Sequence, residues 1–276
     1  MFQSKHEQRD AQLPAARDRI KAAIEKDLAG DPSILALFYG GSVGKGNSDR
    51  YSDIDLRIIV ADDMFDMYRE KMKQRANRWG NVLFYEEMPL AYYCTFHYDS
   101  FVKVDLFQYR LKDVLPSFWL RHIEIFYDAT GMLEDVVQKS KELVFDPTIE
   151  DVQFWRTKFF ASVHELYRRV MRGELYYALS CLDTMRFLMT VGWYMEMGIQ
   201  PNALGDWAKI EGSRSLLTEA QQSELAAWGC GRDEEELMHV AEKIVQSFKQ
   251  IHASLCAQVG LKEDEAWVDD IMQQVF

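Results

Sequence analysis

The chain has 276 residues, 48% of them hydrophobic and 28% charged, which excludes a disordered chain and provides apolar material for one large domain or two of ordinary size. The net charge of −12 argues against a main role in gripping nucleic acid, because phosphate neutralisation needs a basic surface, and it favours small or cationic partners. The polar N-terminus MFQSKHEQRDAQLPAARDRI is no signal peptide, no run reaches the roughly 18 apolar residues of a membrane helix, and Cys94, Cys181, Cys230 and Cys256 show no metal spacing, so a cytoplasmic protein with reduced thiols and no membrane partner is expected.

Residues 5–29, rich in Ala, Lys, Arg and Glu, read as an amphipathic helix ending at Gly30. SILALFYG (33–40) is a short apolar run between Pro32 and glycines, hence a buried strand, and IDLRIIV (54–60) is a second. Residues 62–79 open with two aspartates suited to a helix N-terminus and continue at helical spacing. NVLFYEE (81–87), LAYYCTFHY (90–98) and FVKVDLFQY (101–109) read as strands, the last two joined by a turn at Asp99–Ser100, and IEIFYD (123–128) as another. Beyond Pro147 the texture is helical only, with segments 150–172, 174–197, 216–228, 233–258 and 264–275 punctuated by Gly173, Gly198–Pro201, Gly229–Gly231 and Gly260. The order predicts an α/β (α+β) domain with a mixed sheet over residues 1–145 and an all-α helical bundle over 146–276.

The stretch FYGGSVGKGNSDRYSDIDLRIIV (38–60) has the glycines and lysine of a phosphate-binding P-loop. That motif needs four residues between its glycines and a hydroxyl residue after the lysine. Here three residues separate Gly40 from Gly44, and Gly46 follows Lys45, so the P-loop is rejected. The later Asp53-Ile54-Asp55 is more informative. Residues i and i+2 of a strand share a face, and two adjacent carboxylates repel unless a cation lies between them. Hard oxygen ligands of this kind suit Mg²⁺. A lone Asp-x-Asp is more often a solvated pair, but these two adjoin Leu56, Ile58, Ile59 and Val60, the pattern of an interior strand. Asp105 interrupts the apolar run of FVKVDLFQY and could complete a three-carboxylate cradle, the competing reading being an ion pair with Lys103 or Arg110.

A hydrophobic strand, Gly41-Ser42, a loop, Asp53-Ile54-Asp55 and a later Asp105 together resemble the nucleotidyltransferase superfamily typified by DNA polymerase β. Within it the sequence looks most like enzymes that adenylylate aminoglycoside or lincosamide antibiotics. The match covers roughly residues 33–110, and the loop with Gly44 and Gly46 departs from the pattern by its glycine content. The resemblance implies that Gly41 and Ser42 hold the triphosphate of ATP or another nucleoside triphosphate, and that Asp53, Asp55 and Asp105 bind two Mg²⁺ ions, Asp105 also serving as a base. Lys45 and Arg50 are candidate phosphate contacts, although each reads equally well as a solvated charge. It further implies acceptor-binding acids in the helical half, for which Glu165, Glu174 and Asp183 are the candidates. The expected reaction is transfer of a nucleoside monophosphate, AMP from ATP, to a hydroxyl of a small antibiotic-like molecule, with release of pyrophosphate.

Two other readings compete. A protein-modifying, antitoxin-like transferase would have a helical partner carrying Arg-x4–6-His, and Arg232 to His239 fits formally, but the intervening DEEELM is too acidic for RNA. A nucleotide-binding module without catalysis would not need all three carboxylates. The six histidines include no HExxH spacing, and His164 beside Glu165 stands out only by its place among the acceptor candidates.

Overall fold

The computed structural model describes residues 4–87, 93–262 and 264–276. The strand expected over 90–98 therefore falls partly outside the described residues. The chain divides into two compact units, Met1–Leu143 and Val144–Phe276.

In the first unit the elements run α1 (Glu7–Leu28), β1 (Ile34–Tyr39), a one-turn helix α2 (Gly41–Gly44), β2 (Ile54–Val60), α3 (Phe65–Ala76), β3 (Val82–Glu87), β4 (Tyr93–Tyr98), β5 (Lys103–Tyr109), β6 (Glu124–Asp128) and α4 (Leu133–Glu142). The six described strands form one sheet in the order β3-β4-β5-β2-β1-β6. β2 and β5 pair parallel, while the other pairings are antiparallel.

Strand alternation divides the side chains between two faces. Leu37 and Tyr39 of β1, Ile54, Leu56 and Ile58 of β2, Phe96 and Tyr98 of β4, and Val104 and Leu106 of β5 all point to one face. There they pack against Leu13, Ile20, Ile24 and Leu28 of α1 and Phe65, Tyr68 and Met72 of α3. On the other face Ala36, Phe38 and Ile59 pack with Leu133 and Val136 of α4 and with Val114 and Leu120. That smaller core covers the β1 side of the sheet, whereas β5 and β4 turn half-buried polar residues to the same face: Lys103, Asp105, Thr95 and His97.

Two details of this unit differ from expectation. The segment expected as one helix over 62–79 begins as a 3₁₀ turn (Asp62–Met64) and stops at Ala76. Helix α4 was not foreseen, because it is short and its apolar residues are limited to Leu133, Val136 and Val137.

The second unit contains α5 (Ile149–Met171), α6 (Leu175–Glu196), α7 (Glu219–Ala227), α8 (Glu234–Val259) and α9 (Glu265–Met272). Its core mixes aromatic, methionine and aliphatic side chains, with Trp155 and Phe159 of α5 against Phe248 of α8, and Met185, Leu188 and Trp193 of α6. Thr148 and Thr218 close capping boxes at the starts of α5 and α7, and Gly260 ends α8 in the left-handed conformation. No helix among the described residues is long and apolar enough to cross a membrane.

Candidate active site

The predicted carboxylates lie where the central parallel strands begin. In the β2–β5 register Asp55 stands opposite Asp105, and Thr95 of β4 stands opposite Asp105 on its other side. All three residues belong to the same sheet face. Thr95 Oγ1 donates to Asp105 Oδ1 at 2.6 Å, which fixes the carboxyl plane. Neighbouring rows continue the pattern, with His97 opposite Lys103 and Phe107 opposite Arg57.

Lys103 joins two of the acids. Its ammonium lies 2.8 Å from Asp53 Oδ2 and 2.7 Å from Asp105 Oδ2. Burial alone would make this amine easier to deprotonate, but hydrogen bonds to Asp105 and Asp53 outweigh it and hold the charge firmly on the nitrogen. The competing reading of Asp105 as an ion-pair partner of Lys103 is thus realised, with Asp53 sharing the same cation.

Closure of all three acids around one point, expected from the sequence, is not seen, and no group of three or more His, Cys, Asp or Glu among the described residues is arranged to hold a metal ion. The Lys103 ammonium stands between Asp53 and Asp105 and relieves the repulsion between these two carboxylates. The donor set nevertheless suits a hard divalent cation. Every donor is a carboxylate oxygen, and a cation already stands within hydrogen-bonding distance of two of them.

Asp55 is seated by the turn that follows β1. The Asp55 backbone carbonyl accepts from the Gly40 amide at 2.9 Å. A Cβ built on Gly41 would lie 1.7 Å from Asp55 Oδ2, and Gly41 has φ of +55°. Only glycine allows both the left-handed backbone and the close approach of that carboxylate. Gly44 is fixed by another contact, since a Cβ there would come within 2.5 Å of the Tyr39 carbonyl oxygen. The glycines of the loop are therefore packing requirements at Gly41 and Gly44.

Ser42 is buried, and its hydroxyl lies 3.5 Å from Ser48 Oγ. As at any helix start, the amides of the first turn of α2 lack partners within the helix. Lys45 and Arg50 are exposed.

Three polar neighbours were not singled out as site residues from the sequence. Arg57 lies two residues beyond Asp55 on the same face, with its guanidinium 5.5 Å from the Phe107 ring centroid, and its buried Nε has no hydrogen-bond partner among the described residues. Thr95 and His97 are the others, with His97 Nε2 2.6 Å from Glu86 Oε1. The signal available was alternation: Asp53, Asp55 and Arg57 share one parity, as do Lys103 and Asp105.

At the sheet end beside these acids is a cavity of about 440 Å³, whose lining includes Arg50, Tyr51, Asp53, Phe84, Phe101 and Lys103. Tyr51, Phe84 and Phe101 are each more than half exposed, and the Phe84 and His97 rings stack at 4.2 Å.

In the second unit the three acceptor candidates separate. Arg169 takes both Glu165 and Glu174, with Nε 2.6 Å from Glu165 Oε1 and a further contact to Glu174. The hydrogen bond from Arg169 holds Glu165 below its usual range. Glu174 lies at the N-cap of α6, so it flanks the helix that carries Asp183. Asp183 is exposed and its carboxylate lies 3.8 Å from Arg186.

No protein-family model matches the chain, and no curated protein matches it. Among solved structures, the chain is similar to an aminoglycoside 6-adenyltransferase from Bacillus subtilis. The identity is 12%, the alignment covers 94% of this chain and 95% of that one, and the TM-score is 0.44. This is a distant likeness.

Proposed function

We propose that the first unit is a nucleotidyltransferase that moves AMP from ATP to a hydroxyl of a small molecule of the aminoglycoside or lincosamide kind, releasing pyrophosphate. The observation that carries the reading is the in-register pair Asp55 and Asp105 on adjacent parallel strands, with Asp53 drawn to Asp105 through Lys103. Acids half-buried at the edge of a core are costly unless they serve a cation.

In this reading Asp53, Asp55 and Asp105 hold Mg²⁺, which supplies charge neutralisation for the reacting phosphate and the departing pyrophosphate. Ser42 and the amides of Gly41 and Ser42 bind the triphosphate, and Lys45 adds a positive charge. Thr95 orients the Asp105 carboxylate through Oδ1, and Asp105 serves as the base that takes the proton of the acceptor hydroxyl. A bond forms from the acceptor oxygen to the α-phosphorus as the bond to pyrophosphate breaks. In the second unit Glu165, Glu174 and Asp183 are the acids proposed to bind a polycationic acceptor, which would compete with Arg169 for the first two and with Arg186 for the third.

The test is pyrophosphate release with Mg²⁺, each of the four ribonucleoside triphosphates, and a panel of aminoglycosides and lincosamides. Activity with one acceptor, abolished in Asp55→Asn and Asp105→Asn variants that keep the wild-type circular dichroism spectrum, is the expected result. Full turnover in either variant would show that these acids do not serve the reaction. Release of pyrophosphate only when a protein is supplied would move the assignment to a protein-modifying transferase.

A further inference from the structure

We propose that Lys103 is an exchangeable internal cation: its ammonium occupies the carboxylate cluster when no metal is bound, and a divalent ion enters by displacing it into the adjoining cavity. The inference rests on the proposed metal-binding role of Asp53, Asp55 and Asp105.

Four observations lead to it. The ammonium is within 2.8 Å of one oxygen from each of two acids that come from different strands and loops, so it marks the point where a shared cation is attracted most. Mg²⁺ binds oxygen at about 2.0–2.1 Å, closer than any ammonium, and cannot share that point with Lys103. Asp105 is held independently by Thr95, so it stays in place when the lysine leaves. Finally, the Lys103 side chain is 39% exposed and lines the 440 Å³ cavity, which gives the displaced ammonium space and water at once. A lysine stem with four rotatable bonds makes that swing with little steric hindrance.

The arrangement has a functional consequence. Without metal, the ammonium relieves repulsion between Asp53 and Asp105 and keeps the apo site folded. With metal, the released charge stands in the cavity beside Arg50, where it can meet an anionic group of a bound ligand.

The experiment uses the full chain and metal alone, without nucleotide. Mn²⁺ affinity is measured by electron paramagnetic resonance for wild type, Lys103→Gln, Lys103→Met and Asp105→Asn. In parallel, acylation of Lys103 by an amine-reactive ester at fixed pH is followed by peptide mass spectrometry with and without Mg²⁺, using exposed lysines as references. Removing one unit of positive charge about 4 Å from a divalent ion should tighten Mn²⁺ binding roughly thirtyfold in both Lys103 variants, even with bulk-water screening. Lys103 acylation in the wild type should rise on adding Mg²⁺ while the reference lysines stay constant. If wild type binds Mn²⁺ but the Lys103 variants bind it equally or more weakly, Lys103 positions the acids and the exchange is refuted. Unchanged Lys103 acylation at saturating metal refutes it too, and this arm does not depend on any variant folding. If Asp105→Asn binds Mn²⁺ as well as wild type, or if no form binds it, the metal reading itself fails.

Discussion

Replacing Gly41 by alanine tests whether the turn after β1 exists to seat Asp55. The added Cβ would fall 1.7 Å from Asp55 Oδ2 and 2.6 Å from its Cγ, half and about three quarters of the 3.4 Å at which ordinary contact begins, in a backbone with φ of +55°. Alanine in a left-handed conformation costs about 1–2 kcal/mol. Turning the carboxylate away from its present rotamer adds about 0.5–1.5 kcal/mol. Together these lower the melting temperature by roughly 3–14 °C, at about 2–4 °C per kcal/mol for a chain of this size class. Activity should suffer more, because misplacing a reacting group by an ångström costs on the order of a hundredfold. Gly46→Ala is the control, since Gly46 has φ of +66° but a Cβ there meets nothing within 4 Å. It carries the backbone strain without the collision and should keep near-normal turnover. Differential scanning calorimetry and steady-state pyrophosphate release on the two variants separate the terms. If Gly41→Ala keeps activity within tenfold of Gly46→Ala, the seating of Asp55 by this turn is not what the site depends on.

Three further outcomes are expected. Thr95→Val removes the donor that fixes Asp105 Oδ1 and should reduce metal affinity or turnover by about 10–100-fold; unchanged values would show that Asp105 needs no such anchor. Burial alone would raise the Asp31 pKa, but Tyr68, Arg75 and the Ser33 amide lower it to about 2. With the folded value below the unfolded 3.8, that stabilisation is full above about pH 4 and is lost as pH falls toward 2. The advantage of wild type over Asp31→Asn in urea denaturation should accordingly shrink by about 1–2 kcal/mol across that window, and a pH-independent difference would overturn the assignment. Burial, and then the charge of Arg156, lower the His252 pKa from 6.5 to about 4. Protonation therefore favours the unfolded chain, so wild type should lose about 2–3 kcal/mol relative to His252→Phe between pH 6.5 and 4. Parallel stability curves for the two proteins would show that the histidine is not kept neutral by its core.

Much of this was legible in the residues, for reasons that differ by region. β2 was read to the residue because Ile54, Leu56 and Ile58 alternate with Asp55 and Arg57 and end in a buried Ile59-Val60. The helices of the second unit announced themselves by apolar residues at helical spacing and by the glycines between them, Gly173 and Gly260 among these. The four-residue α2 carried no helical periodicity, and its existence follows from packing, with Gly44 against the Tyr39 carbonyl. At the site, the acids could be named from apolar flanks that make an exposed role improbable. The sharing of Lys103 between Asp53 and Asp105 could not, because it depends on a strand register set by contacts far apart in sequence. The pairing of Glu165 with Glu174 through Arg169 was hidden for a similar reason: Glu174 lies beyond a helix break at Gly173, where the chain reverses.

The register also explains why the chemistry gathers at one end of the sheet. β2 and β5 are parallel, so the early positions of both strands coincide, and Asp55 and Asp105 become neighbours although fifty residues separate them. Antiparallel pairing would have placed the two acids at opposite ends. β1 is antiparallel to β2, with Tyr39 opposite Leu56, so its outgoing end meets the incoming end of β2. The Gly40–Gly41 turn is thereby delivered onto Asp55, and neither glycine needs to reach for it. A slip of one residue between β2 and β5 would turn Asp105 away from the face that Asp55 occupies and bring Val104 or Leu106 into its place. The isoleucine, valine and leucine side chains buried on the opposite face prohibit that slip. The apolar half of each strand therefore holds the acidic half in register, and a substitution in the core at Ile54 or Val104 should loosen the site before it unfolds the sheet.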